Sequence, residues 1–143
     1  MAVLFPFEVN TPYRLFFSDS VEAIILTLAD GEAAVYANHS HFTAPVVPCL
    51  LKIKGRDGIW KTAFCAEGIL EVKTLKTILI SDTAEWPAEI DYERAMAAKT
   101  RAEEILAGGG MLKFETDTAA AALLRANMRL RAWEEGKGDN GKI

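Results

Sequence analysis

The sequence is poor in the residues that build most catalytic and metal centres. Its 143 residues include two cysteines and two histidines. It contains no G-x-S-x-G, H-E-x-x-H or Walker-type glycine motif, the patterns that mark nucleophilic, zinc-dependent and phosphate-binding sites. We therefore expect a protein with no catalytic residues and no metal site of its own.

The two cysteines, Cys49 and Cys65, are compatible with a disulfide or with half of a metal site. They lack C-x-x-C spacing, and residues 1–6 show no secretion signal, which would accompany an oxidising compartment. We interpret them as two unrelated, half-buried thiols. His39 and His41 are two residues apart, which on a strand would place both rings on one face. A zinc site would need a third and a fourth ligand, and none is evident nearby.

Neither an excess of positive charge nor a long apolar run is present. Lys and Arg number 16 against 20 Asp and Glu, a net charge of −4, whereas nucleic-acid binding needs a clustered basic excess. No uncharged apolar run approaches the roughly 20 residues of a membrane span. We expect a soluble, cytoplasmic chain without a nucleic-acid partner, which would reach a membrane only by docking on a membrane complex.

What the sequence does contain changes in character at Pro87. Before it, short β-type runs alternate with turn pairs such as Asp30-Gly31 and Asp57-Gly58. After it, nearly every residue is a good helix former, most apolar positions are alanine, and Gly108 to Gly110 divide the stretch in two. We predict a β domain over residues 1–87, a helical hairpin over 88–135 and a disordered, glycine-containing tail over 136–143, with disorder beginning near Glu134.

The first part is predicted to be an antiparallel β-sandwich or flattened barrel, because its short strands follow one another without intervening helices. The predicted strands are Phe5–Val9, Tyr13–Phe17, Val21–Leu28, Ala33–Tyr36, Val46–Val47, Leu50–Lys54, Ile59–Ala66, Ile69–Val72 and Lys76–Ser81. Alternating side chains in the predicted strand Ile59–Ala66 place Trp60 and Phe64 on the core side. Pro45 and Pro48 mark an edge or a bend. The fold class is α+β.

The second part is predicted to be two helices that turn back on each other as an antiparallel hairpin. Asp91 is the expected N-cap of the first helix. A second helix is expected from about Glu115 or Thr116 to about Trp133. The apolar positions recur at spacings of three and four: Ala95, Ala98, Ala102 and Ile105, then Ala119, Leu123, Ala126, Leu130 and Trp133. Alanines bury little area, so the hairpin should be only marginally stable alone.

The order of these segments resembles the epsilon subunit of the bacterial F-type ATP synthase over nearly the whole chain. The resemblance is carried by segments spread along both parts: 7–12, 30–32, Tyr36, Asn38-His39, 67–72, 80–85, 89–95, 101–104 and 125–131. The chain departs from the family at Ala34 to His41, where the family usually has Gly-x-x-Pro-Gly-His-Ala-Pro, and at Cys49, where a glycine is common. Asn38 can still supply a left-handed turn residue there.

The resemblance implies a non-catalytic subunit of a rotary motor. Its implied partners are the gamma subunit, the ring of c subunits and the alpha/beta catalytic head, at the cytoplasmic face of the membrane. The sandwich would couple ion-driven rotation to ATP synthesis, and the hairpin, folded or extended, would restrain ATP hydrolysis. Contact with the c-ring and gamma is expected from a group near one loop: Glu32, Tyr36, His39, His41 and Phe42.

The resemblance also implies a regulatory ATP site, although no cofactor is required. Its residues would come from the helix-start motif and from arginines of both helices: Glu85, Ile90, Asp91, Arg94, Ala95, Arg101, Arg125 and Arg129. Arg125 and Arg129, one turn apart, would meet phosphate oxygens. In the alternative interpretation, Asp91 only caps the helix, and the arginines face water or pair with acidic patches of the catalytic head.

Two other function classes remain open from the sequence. A free-standing sandwich module would bind an unrelated protein through Trp60 or Trp133, and it would have no affinity for gamma. An enzyme using His39, His41 or Cys65 would show turnover by the purified chain, and mutation of the residue would abolish it.

Overall fold

The computed structural model describes residues 3–108 and 112–138. The chain divides into two compact units, Met1–Trp86 and Pro87–Ile143. In the described part, the first unit holds nine strands and the second a short 3₁₀ helix followed by two α-helices. The strands are β1 (Phe5–Asn10), β2 (Leu15–Leu28), β3 (Gly31–Tyr36), β4 (Phe42–Val46), β5 (Cys49–Gly55), β6 (Trp60–Cys65), β7 (Gly68–Val72), β8 (Thr77–Ser81) and β9 (Ala84–Glu85).

The strands form one sheet that closes on itself. Its order is β1-β8-β7-β4-β2-β5-β6-β9, β3 also pairs with β2, and a β1–β2 pairing joins the path back to its start. The pairing of β1 with β8 is parallel, whereas the other described pairings are antiparallel. The predicted class, a sandwich or flattened barrel followed by helices, is confirmed, with this one parallel pairing as the exception.

The strand β2 replaces two predicted strands. It runs for 14 residues without a break, because Ser18, Asp19 and Ser20, which look like a turn, pair in register with Glu8, Phe7 and Pro6 of β1. Backbone hydrogen bonding does not require apolar side chains, so polar residues can continue a ladder on an exposed stretch.

The predicted core side of β6 is right for Phe64 and wrong for Trp60. Ala63 and Cys65 belong to the main buried cluster. Phe64 is buried, but it lies outside that cluster, and Trp60 is 41% exposed. Trp60 begins β6 opposite Lys54, whose ammonium nitrogen lies 6.0 Å from the indole centroid. Alternation does not separate the two sides here, because Trp60 lies at the exposed start of the strand and the last three residues, Ala63 to Cys65, are buried on both sides.

The segment between Pro45 and Pro48 was predicted to be an edge or a bend, and the structure places part of it in a paired strand. Pro45 lies within β4, which spans Phe42–Val46 and pairs with β7, where Pro45 is opposite Ile69. The strand meets β2 through a single registered pair, Leu28 with Val46. A proline is tolerated in β4 because the strand makes few backbone hydrogen bonds with β2 that the missing N–H could remove.

The second unit begins with a 3₁₀ helix, Pro87–Glu89, followed by α1 (Tyr92–Ala107) and α2 (Lys113–Gly138). The predicted N-cap is confirmed, since an Asp91 side-chain oxygen accepts a hydrogen bond of 3.1 Å from the Arg94 amide. The rings of Tyr92, at the start of α1, and Trp133, near the end of α2, lie 4.5 Å apart between centroids. The two helices are therefore antiparallel, as predicted.

Alanine dominates the buried seam of the hairpin. Its buried alanines are Ala95, Ala102, Ala119, Ala126 and Ala132. The larger members of the predicted stripes, Leu123, Leu130 and Trp133, are half-buried, and Ile105 is exposed. Each alanine removes less apolar area from water than a leucine, whose full burial contributes about 1.5 to 3 kcal/mol.

The helix α2 begins two residues earlier and ends five residues later than predicted. The expectation of disorder from Glu134 is wrong as far as Gly138, where the helix ends; the rest of the predicted tail, 139–143, and the linking residues 109–111 lie outside the described residues. The last turns are held because Gly136 lies directly against Pro87. A β-carbon at residue 136 would come 2.2 Å from the Pro87 β-carbon.

We predict that Gly136→Ala destabilises the helical unit, even though alanine is the better helix former by about 1 kcal/mol. The added methyl group has no room beside Pro87. Urea unfolding of the full chain, followed by circular dichroism, measures the change. In a Pro87→Gly background the same substitution should become neutral or stabilising, and an equal effect in both backgrounds would contradict the contact.

Candidate functional site

The loop between β3 and β4 brings together four of the five predicted rotor-contact residues. Tyr36 ends β3, and its side chain is exposed. The next turn depends on Asn38, which has φ +64°, the left-handed conformation expected of it. The His39 ring lies 5.2 Å from the Phe42 ring, while His41 hydrogen-bonds through Nε2 to the Thr74 hydroxyl.

The two histidines are not on a strand, so the predicted shared face is wrong. They lie in the connection after β3, and each ring has its own partner. A cavity of about 260 Å³ is lined here by residues of four segments: Phe5, Tyr36, Asn38, His39, His41, Val72, Lys73, Thr74 and Thr77. Within residues 3–108 and 112–138, no group of three His, Cys, Asp or Glu side chains is placed to hold a metal ion.

Glu32, the fifth predicted contact, lies near the other end of β3. It is exposed and opposite Thr27 in the ladder. Positions 32, 34 and 36 share one face of the strand because successive side chains alternate, and all three are exposed. Glu32 and Tyr36 are about 13 Å apart along this face.

The predicted nucleotide-binding residues are spread over both units. Glu85 belongs to β9 of the first unit. In the second unit, Ile90 and Ala95 are buried, and Asp91 caps α1. The arginines are more accessible: Arg94 and Arg101 are exposed, whereas Arg125 and Arg129 are half-buried.

Two grooves follow the hairpin. One, of about 320 Å³, is mainly apolar; Arg101 lines it together with Ile105 and Phe114, whose side chain is 76% exposed. The other, of about 530 Å³, is lined by residues outside the predicted nucleotide-binding set: Lys99, Asn127, Met128, Leu130, Arg131, Glu134 and Glu135. Lys99 is half-buried in this groove. The sequence signal for this groove was the spacing of four between Asn127 and Arg131, which places both side chains on one face of the helix.

The cysteines are neither unrelated nor half-buried. Cys49 and Cys65 are directly opposite in the β5–β6 ladder, and their sulfur atoms lie 3.5 Å apart. Both side chains are buried, at 2% and 0% exposure. The Asp57-Gly58 turn midway between them was the available signal, but the pairing also depends on the register of the two strands, which spacing alone does not fix.

Solved structures with a similar fold come from ATP synthases. A chain of the Euglena gracilis mitochondrial ATP synthase structure with OSCP, F1 and c-ring matches with a TM-score of 0.67 and 17% identity, over 96% of this chain and 81% of the other. A chain of the Tetrahymena thermophila mitochondrial ATP synthase central stalk and c-ring matches with a TM-score of 0.60 and 11% identity, over 92% and 98%. These likenesses define the class, a β-sandwich followed by helices as found in ATP synthases.

The sequence relationship is closer. Residues 4–87 match the ATP synthase delta/epsilon chain β-sandwich domain, and residues 88–134 match the long α-helix domain of the same chain. The ATP synthase epsilon chain of Caldicellulosiruptor bescii is 45% identical over 133 residues, which cover 93% of this chain and 96% of the relative. That of Caldanaerobacter subterraneus is 45% identical over 128 residues, covering 89% and 91%. The chain belongs to the ATP synthase delta/epsilon chain family, which confirms the resemblance found in the sequence.

Neither helix of the described hairpin is long and apolar enough to cross a membrane.

We predict that Asp91→Ala lowers the free energy of unfolding of the helical unit by about 1 kcal/mol, because the first-turn amides lose their side-chain acceptor. Asp91→Asn is the matched control, since its amide oxygen can accept the same bond from the Arg94 backbone. Both can be measured by thermal unfolding of the full chain. If Asn is as damaging as Ala, the carboxylate has a role beyond capping.

Proposed function

We propose that the chain is the non-catalytic epsilon-type subunit of an F-type ATP synthase, working in the central stalk that rotates with the c-ring. The observation that carries this function is the family relationship across both units, at residues 4–87 and 88–134. The sandwich couples ion-driven rotation to ATP synthesis, and the hairpin restrains ATP hydrolysis. Its partners are the gamma subunit, the c-ring and the alpha/beta head.

The outward face of β3 and the following loop form the contact with the c-ring and gamma. Glu32 and Tyr36 are exposed on the same strand face, and His39, His41 and Phe42 continue it across the turn. This surface combines a carboxylate, aromatic rings and imidazoles, which suits a polar protein loop as partner. Through this complex the chain is peripheral to the membrane, at its cytoplasmic face.

The hairpin is the regulatory element. Its seam is built from alanines, with the Tyr92–Trp133 ring contact as the main bulky interaction near the base. A hairpin with such a seam has a small free-energy difference between its folded and open states. A partner that binds one state more tightly than the other can therefore shift the equilibrium to that state. In the open state the helices extend along gamma toward the catalytic head.

We predict that a chain ending near Ala88 releases inhibition of ATP hydrolysis. Hydrolysis by a reconstituted catalytic core is compared with the full chain and with the truncated chain, because only the full chain can place helices at the head. Retained binding of the truncated chain to gamma is the control for a folded sandwich. Equal hydrolysis with both chains, while gamma binding persists, would overturn the inhibitory role.

We further propose that the folded hairpin binds ATP at a regulatory site. It is supported by the helix-start residues Ile90 to Ala95 and by arginines on both helices, with Arg125 and Arg129 separated by one turn. Guanidinium groups from two helices bridging one triphosphate would hold the helices together. ATP would then favour the folded, non-inhibitory state.

We predict that replacing Arg94 and Arg125 with glutamine lowers the ATP affinity of the full chain at least about tenfold, as expected for lost charge-assisted hydrogen bonds. Titration calorimetry with Mg-ATP measures the affinity. Arg131→Gln is the matched control, because Arg131 lies on the same helix, lines the groove of about 530 Å³ and is not one of the proposed nucleotide-binding residues. Unchanged affinity in the double variant, or an equal loss in the control, would remove this site.

A further inference from the structure

The buried thiol pair of the sandwich has a geometry that permits a covalent bond. Cys49 and Cys65 are registered partners on adjacent antiparallel strands. Such partners have α-carbons about 4.5 to 5.5 Å apart, within the range of about 4.4 to 6.8 Å that disulfides span. The sulfur atoms lie 3.5 Å apart, so closing to the bond length of about 2.05 Å needs a shift of about 1.5 Å.

The two thiols are not equivalent. The backbone N–H of Thr27 lies 3.4 Å from the Cys49 sulfur and donates to it. The pKa of Cys49 is lowered, chiefly by its hydrogen bond with Cys65 and further by Thr27, while the pKa of Cys65 is raised by the same bond and by burial. Either sulfur can donate in the contact between them, and the Thr27 N–H together with the lowered pKa makes Cys49 the sulfur more easily ionised.

We propose that Cys49 and Cys65 form a site of reversible oxidation, at which a small hydroperoxide converts the two thiols into an intramolecular disulfide. Cys49 is the attacking sulfur and Cys65 the resolving one. This inference goes beyond the proposed motor function and does not depend on it.

The chemistry balances with hydrogen peroxide as the oxidant. The Cys49 thiolate attacks one peroxide oxygen, the O–O bond breaks, and the released hydroxide leaves as water with the proton lost by Cys49. Cys65 then attacks the sulfenic sulfur of Cys49. The S–S bond forms, the S–O bond breaks, and the hydroxyl leaves as a second water with the Cys65 proton. Two thiols lose two electrons and two protons, and the peroxide takes up both.

A small oxidant fits this location. Both thiols are buried, which excludes a bulky disulfide reagent but not a molecule close to water in size. The outer neighbour of β6 is β9, which has two residues and pairs Ala84 with Cys65. β9 is the last strand in the sheet order, and local opening of so short a strand would uncover the sheet edge next to Cys65. The product links β5 to β6 across a separation of 16 residues.

The test is peroxide treatment of the folded full chain, followed by intact mass measurement. A mass loss of about 2 Da that dithiothreitol reverses is expected for the disulfide, together with a higher melting temperature. In Cys65→Ser or Cys65→Ala, Cys49 should stop at the sulfenic acid, seen as a mass gain of about 16 Da on the Cys49 peptide that dithiothreitol removes. Cys49→Ser should leave Cys65 unoxidised under the same conditions, because burial disfavours its thiolate.

If a serine variant fails to fold, peptide mapping of the peroxide-treated wild-type chain still shows whether Cys49 and Cys65 are linked. A Cys49–Cys65 linked peptide from the folded chain supports the site. Three results overturn it: mass gains of about 16 Da on methionines with both thiols still free, disulfide-linked dimers alone, or a disulfide that forms only after unfolding in urea.

Discussion

The backbone ladder of β2 is the interaction on which the rest of the sandwich depends. Within its 14 residues this strand pairs with β1, β3, β4 and β5. It also carries Val21, Ile24 and Leu26 into the core. The outward strand β3 is hydrogen-bonded to β2 and to no other described strand. The position of the proposed rotor-contact face is therefore set by β2.

The two units differ in how their apolar groups are buried. The sandwich buries phenylalanine, leucine, isoleucine and valine from most of its strands, whereas the fully buried seam of the helices is mainly alanine. Cooperative burial of large side chains keeps the sandwich in one folded state. The alanine seam buries little apolar area, so the folded and open states of the hairpin differ little in free energy. This contrast fits a subunit that must transmit force through one part and respond to partners through the other.

Features set by local chemistry could be predicted from the sequence, and features set by register could not. The Asp91 cap, the left-handed Asn38 and the alanine periodicity all depend on residues within a turn or two of each other. The pairing of Cys49 with Cys65 and the core side of β6 depend on which residues face each other across strands, which spacing alone does not state. Similarly, the end of α2 depends on Pro87, some fifty positions away in the sequence.

The contact of Gly136 with Pro87 gives the hairpin a direction of opening. It acts as a clasp at the base, where the helix end, the 3₁₀ turn and the Tyr92–Trp133 rings are held together. At the opposite tip, where Leu112 and Phe114 are exposed, only five residues of chain join the end of α1 at Ala107 to the start of α2 at Lys113, so these helix ends cannot move far apart. The free end of α2 lies at the base, and α2 can therefore leave α1 only when the contact between Gly136 and Pro87 is released first.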